Sequence, residues 1–222
     1  MKKHVFTKPL AAKARMTLLA LLALSGCSQP TPEKLFLLNA GVTAASNANP
    51  TQGPHLAQEG RMSRGAASSS LKIGVIVAVP AYLDRPEIMV RTGSYELAAL
   101  QNARWGEGLS ITAARALADD LQTLLPNQDV FGLPAAQRSF DYRIRVELGK
   151  FESDTAGNVE AAGRWVVIDD GTDKERAGAP FQYDGTASPG DPKSIAGALS
   201  NLLLKVAADI GTELQKPQLA NR

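Results

Sequence analysis

Few side chains in this sequence could do chemistry. There are two histidines among 222 residues, His4 in a basic N-terminal segment and His55 in a stretch of low complexity. A Ser-His-Asp or Cys-His arrangement is therefore not expected inside a folded body, and a metal site built on imidazole or thiolate is excluded for the same reason. Adjacent carboxylates occur at Asp119-Asp120 and Asp169-Asp170. The first pair falls on an expected helix, where neighbours lie about 100° apart and do not converge on one substrate. The second borders Gly171 and reads as a turn. Both pairs are expected to be solvated surface. The glycines form neither a GxGxxG nor a Walker loop. The expectation is a protein that is not an enzyme, with no cofactor and no metal.

The residue with the clearest chemical context is Cys27, the single cysteine. A basic stretch to Arg15 precedes the apolar run Met16–Leu24, which is too short to cross roughly 30 Å of hydrocarbon. Small residues Ser25 and Gly26 come next, then the thiol. The string Leu24-Ser25-Gly26-Cys27 resembles a bacterial lipobox. That resemblance implies diacylglyceryl transfer to the sulfur, cleavage before Cys27 and acylation of the new amine. Several acyl chains, each CH₂ contributing about 0.8 kcal/mol in lipid, would anchor the chain without a spanning helix. Ser28 stands where an aspartate would signal inner-membrane retention, so the periplasmic leaflet of the outer membrane is the expected location.

The charge balance follows from that segment. The whole chain has 24 basic and 22 acidic residues, a formal net of +2. Residues 1–26 hold five of the basic residues (Lys2, Lys3, Lys8, Lys13, Arg15) and no acid. Without them 19 basic residues face 22 acidic ones, a net of −3. Basic residues are otherwise scattered, so nucleic-acid binding lacks its electrostatic footprint.

The elements behind these residues divide the chain simply. Residues 1–26 read as a signal peptide, 27–33 as a lipidated tether with Pro30 and Pro32, 34–216 as one domain, and 217–222 as a tail. Lys34–Leu38 reads as a short strand, followed by a flexible loop over 39–70 rich in Ala, Ser, Asn, Gly, Pro and Gln. Leu71–Val79 is apolar on both faces and predicts a central, covered strand that Pro80 ends. Pro86–Arg91 and Tyr95–Leu100 predict a hairpin, with a second turn near Gln101-Asn102. Ile111, Ala114, Leu117, Leu121 and Leu124 have helical spacing within Leu109–Leu125, and Pro126 lies just beyond. Tyr142, Ile144, Val146 and Leu148 alternate with Arg143, Arg145 and Glu147, the pattern of a strand with one dry face. Val159–Ile168 predicts another strand, Phe181–Tyr183 a short third, and Ile195, Leu199, Leu202, Val206, Ile210 and Leu214 the apolar stripe of a C-terminal helix. No second hydrophobic run looks long enough to cross a bilayer. The order predicts an α+β fold: an antiparallel sheet with two helices packed on one face, a two-layer sandwich.

One stretch is more specific than pattern. Val79-Pro80-Ala81-Tyr82-Leu83-Asp84-Arg85-Pro86-Glu87-Ile88-Met89-Val90 follows the central strand, and Arg104-Trp105-Gly106-Glu107-Gly108-Leu109 precedes the first helix. Together they resemble the ABC-type transport auxiliary lipoproteins, the family that includes PqiC. Strand Asp141–Val146, the Phe151 region and the C-terminal helix fall in the family's order, so the resemblance covers Lys34 to about Gln215. The chain departs from the family in lacking a tyrosine in Leu35–Leu38 and in carrying Gly106 and Gly108 before the helix. The resemblance implies an auxiliary subunit of an intermembrane lipid transport system. Its partners would be an MCE-domain protein and the associated ABC permease and ATPase, with self-association as a further expectation. The alternative is a stand-alone envelope lipoprotein that binds a lipid or glycan. Two roles stay open for Tyr82, Asp84, Arg85 and Trp105: a rigid structural turn, with Asp84 capping backbone N–H groups or pairing with Arg85, or a contact with the partner.

Overall fold

A computed structural model describes residues 32–41, 70–134, 139–216 and 219 of the chain. Cys27, the signal segment, His55 and positions 42–69 of the expected loop lie outside the described residues. Glu33–Arg222 forms one compact unit.

Its described residues form eight strands and two helices: β1 (Lys34–Phe36), β2 (Lys72–Ala78), β3 (Glu87–Gly93), β4 (Glu96–Trp105), α1 (Leu109–Leu124), β5 (Asp129–Gly132), β6 (Tyr142–Asp154), β7 (Asn158–Asp169), β8 (Lys174–Thr186) and α2 (Pro192–Leu214). The fold is α+β, as the pattern predicts, but the sheet is mixed rather than antiparallel. β3–β4, β6–β7 and β7–β8 are antiparallel, whereas β1–β4, β2–β5, β2–β6 and β3–β6 are parallel. The physical reason lies in the connections. β2 reaches its neighbour β6 only after the hairpin, α1 and β5 have intervened, and a crossover of that length returns the chain in the same direction. Alternation tells which side of a strand is dry; it does not tell which strand lies alongside.

β6 is the organising strand. Its first half pairs with β2 (Ile73↔Tyr142 through Ala78↔Glu147), its end touches β3 (Val90↔Ser153), and its whole length pairs with β7. Tyr142, Ile144, Val146 and Leu148 are buried. A bulge between Leu148 and Lys150 then shifts the phase, so that Phe151 is the next core residue. The β6–β7 turn uses Gly157 at φ 87°, where a side chain would also meet the Ala187 carbonyl.

Two local expectations change, and one strand was not anticipated. The turn near Gln101-Asn102 is a distortion inside β4: β3 residues Glu87 and Met89 pair with Arg104 and Ala99, and Asn102 adopts φ 56°. The short strand Phe181–Tyr183 is the middle of thirteen-residue β8, most of whose residues face water; only the small Ala177 and Ala179 extend its inward alternation toward the N-terminal end. Strand β5 has only four residues and no sequence signal of its own.

The helices begin for different reasons. At α2, Asp191 accepts hydrogen bonds from the Lys193 and Ser194 N–H groups, and Pro192 supplies a helical φ at the first turn. At α1, Gly108 gives no side-chain cap, so the helix rests on its buried Leu109, Ala113, Leu117 and Leu121. Each such leucine contributes about 1.5–3 kcal/mol on burial. α1 contacts β2, β5 and α2; α2 contacts β7 and β8. By length and hydropathy alone, the 23 residues of α2 could cross a bilayer, contrary to the sequence expectation. Ile195, Leu199, Leu202, Leu203, Val206 and Ile210 are fully buried within the domain, however, which makes it a core helix. Beyond it, Leu219 is buried and its carbonyl accepts from the Tyr142 hydroxyl.

Candidate functional site

The Pro80–Pro86 stretch forms a tight turn after β2. The Pro80 carbonyl accepts from the N–H groups of Leu83 (2.9 Å) and Asp84 (3.1 Å), and the Leu83 carbonyl accepts from Arg85 N–H (2.8 Å). Leu83 is buried and pins the turn to the core. Tyr82 projects from it toward β6, its hydroxyl 3.3 Å from Glu152 Oε2 and 3.4 Å from the Gly149 carbonyl.

Glu152 is the centre of this cluster. It is 5% exposed, because Tyr82 and Arg91 cover it, and Arg91 Nε donates to its Oε1 at 2.5 Å. Burial first, then the neighbouring Glu152 charge, push the Tyr82 phenol above its ordinary value, so it stays protonated at neutral pH. The hydrogen bond from Arg91 to Glu152 holds the guanidinium charge more firmly still. Both carboxylate oxygens are thus engaged, one by a cation and one by a phenol. The arrangement ties the turn, β3 and β6 together. Beside it lies an open polar cleft of about 520 Å³, with Arg91, Lys150, Asp154, Asn158 and Asp184 on its walls. Lys150 is paired with Glu160 and Asp154 with Asn158, so most of these charges already have partners.

The four motif residues therefore part company. Tyr82 joins the Glu152 cluster. Arg85 is exposed and pairs with Glu87 (3.4 Å) rather than Asp84. Asp84 has no hydrogen-bond partner for its carboxylate among the described residues. Trp105 packs in the core at the end of β4, and its backbone N–H donates to the Pro86 carbonyl (2.7 Å).

Sequence reasoning missed a second site. Residues Leu38–Gly41 are held between the two helices: Leu38 N–H donates to Thr112 Oγ1 (3.1 Å), Asn39 N–H to Ser200 Oγ (3.3 Å) and Gly41 N–H to Asp120 Oδ1 (2.7 Å). Asp120 is buried, not solvated, and its Oδ2 has no partner among the described residues. Burial pushes its carboxyl up to about 6, against the downward pull of the Gly41 hydrogen bond. The signal was available: Asp120 stands three residues after Leu117, on the buried face of α1. Asp169 is likewise buried and pairs with Arg176 (2.7 Å), although Asp170–Asp173 does form the expected turn. It continues the inward register of Val159, Ala161, Trp165 and Val167.

A third feature is an apolar groove of about 470 Å³ between β1 and the start of α2, lined in part by Leu35, Phe36, Leu37, Ala196 and Gly197.

With this geometry in place, the class of the described residues is clear: a small α+β domain with a mixed sheet. The family model described as ABC-type transport auxiliary lipoprotein component matches residues 55–211, and the chain belongs to that family. Among solved structures it is similar to a crystal structure of an uncharacterized protein, with 20% identity and TM-score 0.57, over 66% of this chain and 92% of that one. It is also similar to protein XCC0632 from Xanthomonas campestris, with 20% identity and TM-score 0.52, over 64% of this chain and 81% of that one. At these identities the likeness is one of fold. A dodecameric PelC from Paraburkholderia phytofirmans is matched at 15% identity over 70% of this chain and 92% of that one, but its TM-score of 0.37 carries no argument. No curated protein matches the chain.

Proposed function

We propose that this chain is a non-enzymatic auxiliary subunit of an intermembrane lipid transport system, anchored by Cys27 in the periplasmic leaflet of the outer membrane. Its body docks an MCE-domain protein that works with an ABC permease and ATPase. The observation that carries this reading is the family match over 55–211, C-terminal to the Leu24-Ser25-Gly26-Cys27 string. Two of the buried carboxylates, Glu152 and Asp169, are held by Arg91 and Arg176 and brace the fold, which is a structural use of such groups. Self-association would add contacts to a ring-shaped partner through multivalency.

Two measurements test this. Affinity purification of the native lipoprotein from detergent-solubilised envelopes should enrich an MCE-domain protein; consistent absence of one overturns the partner. Cys27→Ser should abolish acylation, seen as loss of the acyl mass on the N-terminal peptide, and release the chain from the outer-membrane fraction. Unchanged fractionation overturns the anchor.

A further inference from the structure

We infer that the β1 edge, with the groove beside it, is the surface this domain lays against the phospholipid leaflet; the inference rests on the lipid-anchored reading above. β1 buries only one of its sides. Phe36 packs on the core and Leu38 is buried, whereas Leu35 and Leu37 are 66% and 46% exposed. They are not scattered single leucines, because the groove lined by Phe36, Ala40, Ala196 and Gly197 makes them part of one apolar surface.

Two observations identify the occupant as lipid. The first is chain length. Six residues, Ser28–Glu33, separate Cys27 from β1, and no chain of that length reaches beyond roughly 25 Å. Leu35 and Leu37 can never be far from the bilayer that holds Cys27. A tether this short gives an effective concentration in the millimolar range, so even a weak apolar surface stays engaged. The second is charge. Lys193 lines the groove and Lys34 adjoins Leu35, and neither has an ion-pair partner among the described residues. The chain without its signal segment is net acidic, yet the cations at this spot are free for anionic headgroups. Exposed leucines rimmed by lysines are the composition of an interfacial surface, which sinks about 5–10 Å into the headgroup boundary.

The test uses the acylated full chain in vesicles of phosphatidylethanolamine and phosphatidylglycerol. Acylation blocks Cys27, so a cysteine introduced at Leu35→Cys, Leu37→Cys or, as a control on the distant β7–β8 turn, Thr172→Cys is the only free thiol for a bimane label. Labels at 35 and 37 should shift to the blue and lose about half their emission to nitroxide-bearing lipid, as expected for a group at headgroup depth. The label at 172 should stay quenchable only from water. No lipid quenching at 35 and 37, in chains whose Cys27 acylation is verified by mass, overturns the inference. Protection from aqueous iodide without lipid quenching, lost at one copy per vesicle, gives the surface to a second copy and overturns it too. The same labels on a chain that starts at Ser28, made without residues 1–27 and added to vesicles at millimolar lipid, read the surface independently of the anchor and of the basic N-terminal segment. There, omitting phosphatidylglycerol should weaken binding about fivefold for each lysine engaged. Indifference to phosphatidylglycerol overturns the part assigned to Lys34 and Lys193.

Discussion

Two buried carboxylates in this domain have opposite surroundings. Glu152 lies under Arg91 and Tyr82, with both oxygens engaged and a guanidinium at 2.5 Å. Asp120 lies between the helices, where one oxygen accepts from Gly41 N–H and the other has no partner among the described residues. At Asp120 nothing fully offsets the cost of burial, and the carboxyl reaches about 6. The difference shows what a neighbouring cation is for: at similar burial, it decides whether a carboxylate braces the fold or strains it.

Removing the cation should have the largest effect. Arg91→Met leaves Glu152 buried without its counter-charge and should lower stability by about 2–4 kcal/mol, read as a fall in the urea midpoint at constant slope. Adding Glu152→Gln to that variant should restore most of the loss, since the stranded charge is then gone. A double variant no better than the single one would mean that Arg91 acts through packing instead.

Asp120 should respond in the other direction. Its folded value, about 6, is raised above the usual 3.8, so the unfolded chain releases this proton first. Below about pH 4 both states are protonated and the group costs nothing; the cost grows as pH rises from there and is complete above about 6. Asp120→Asn keeps an oxygen for Gly41 N–H and removes the charge. It should raise stability by about 1–2 kcal/mol at pH 8 and leave it unchanged at pH 4. Equal effects at both pH values would place the origin in packing between the helices.

The two sites also differ in how far the sequence disclosed them. Asp120 and Asp169 stand in phase with the apolar residues of their own helix and strand, so local periodicity already marked them as inward-facing. Reading each as half of an acidic pair concealed that phase. Glu152 was not legible this way. It follows the bulge in β6, on the side opposite Phe151, and is buried because Arg91 of β3 and a turn seventy residues upstream cover it. The helices, β2, β6 and β7 were legible because each has a long apolar rhythm. β8 was legible only over Phe181–Tyr183, since its Lys174-Glu175-Arg176 start and Pro180 suit an exposed edge. The parallel pairings were hidden for a similar reason: neighbours in a sheet are chosen by long connections.

The smallest expected effect separates the two parts of the Glu152 cluster. The hydroxyl of Tyr82 lies 3.3–3.4 Å from its acceptors, at the long end for an O–H donor, and the ring is partly exposed. Tyr82→Phe should therefore cost only about 0.5 kcal/mol, because Arg91 still holds Oε1 and water can reach the freed Oε2 from the cleft. The same variant should leave purification of the partner unchanged if Tyr82 serves the fold alone. Loss of the partner with stability intact would instead assign the hydroxyl to the docking surface and make the turn after β2, rather than Glu152 beneath it, the functional element of the motif.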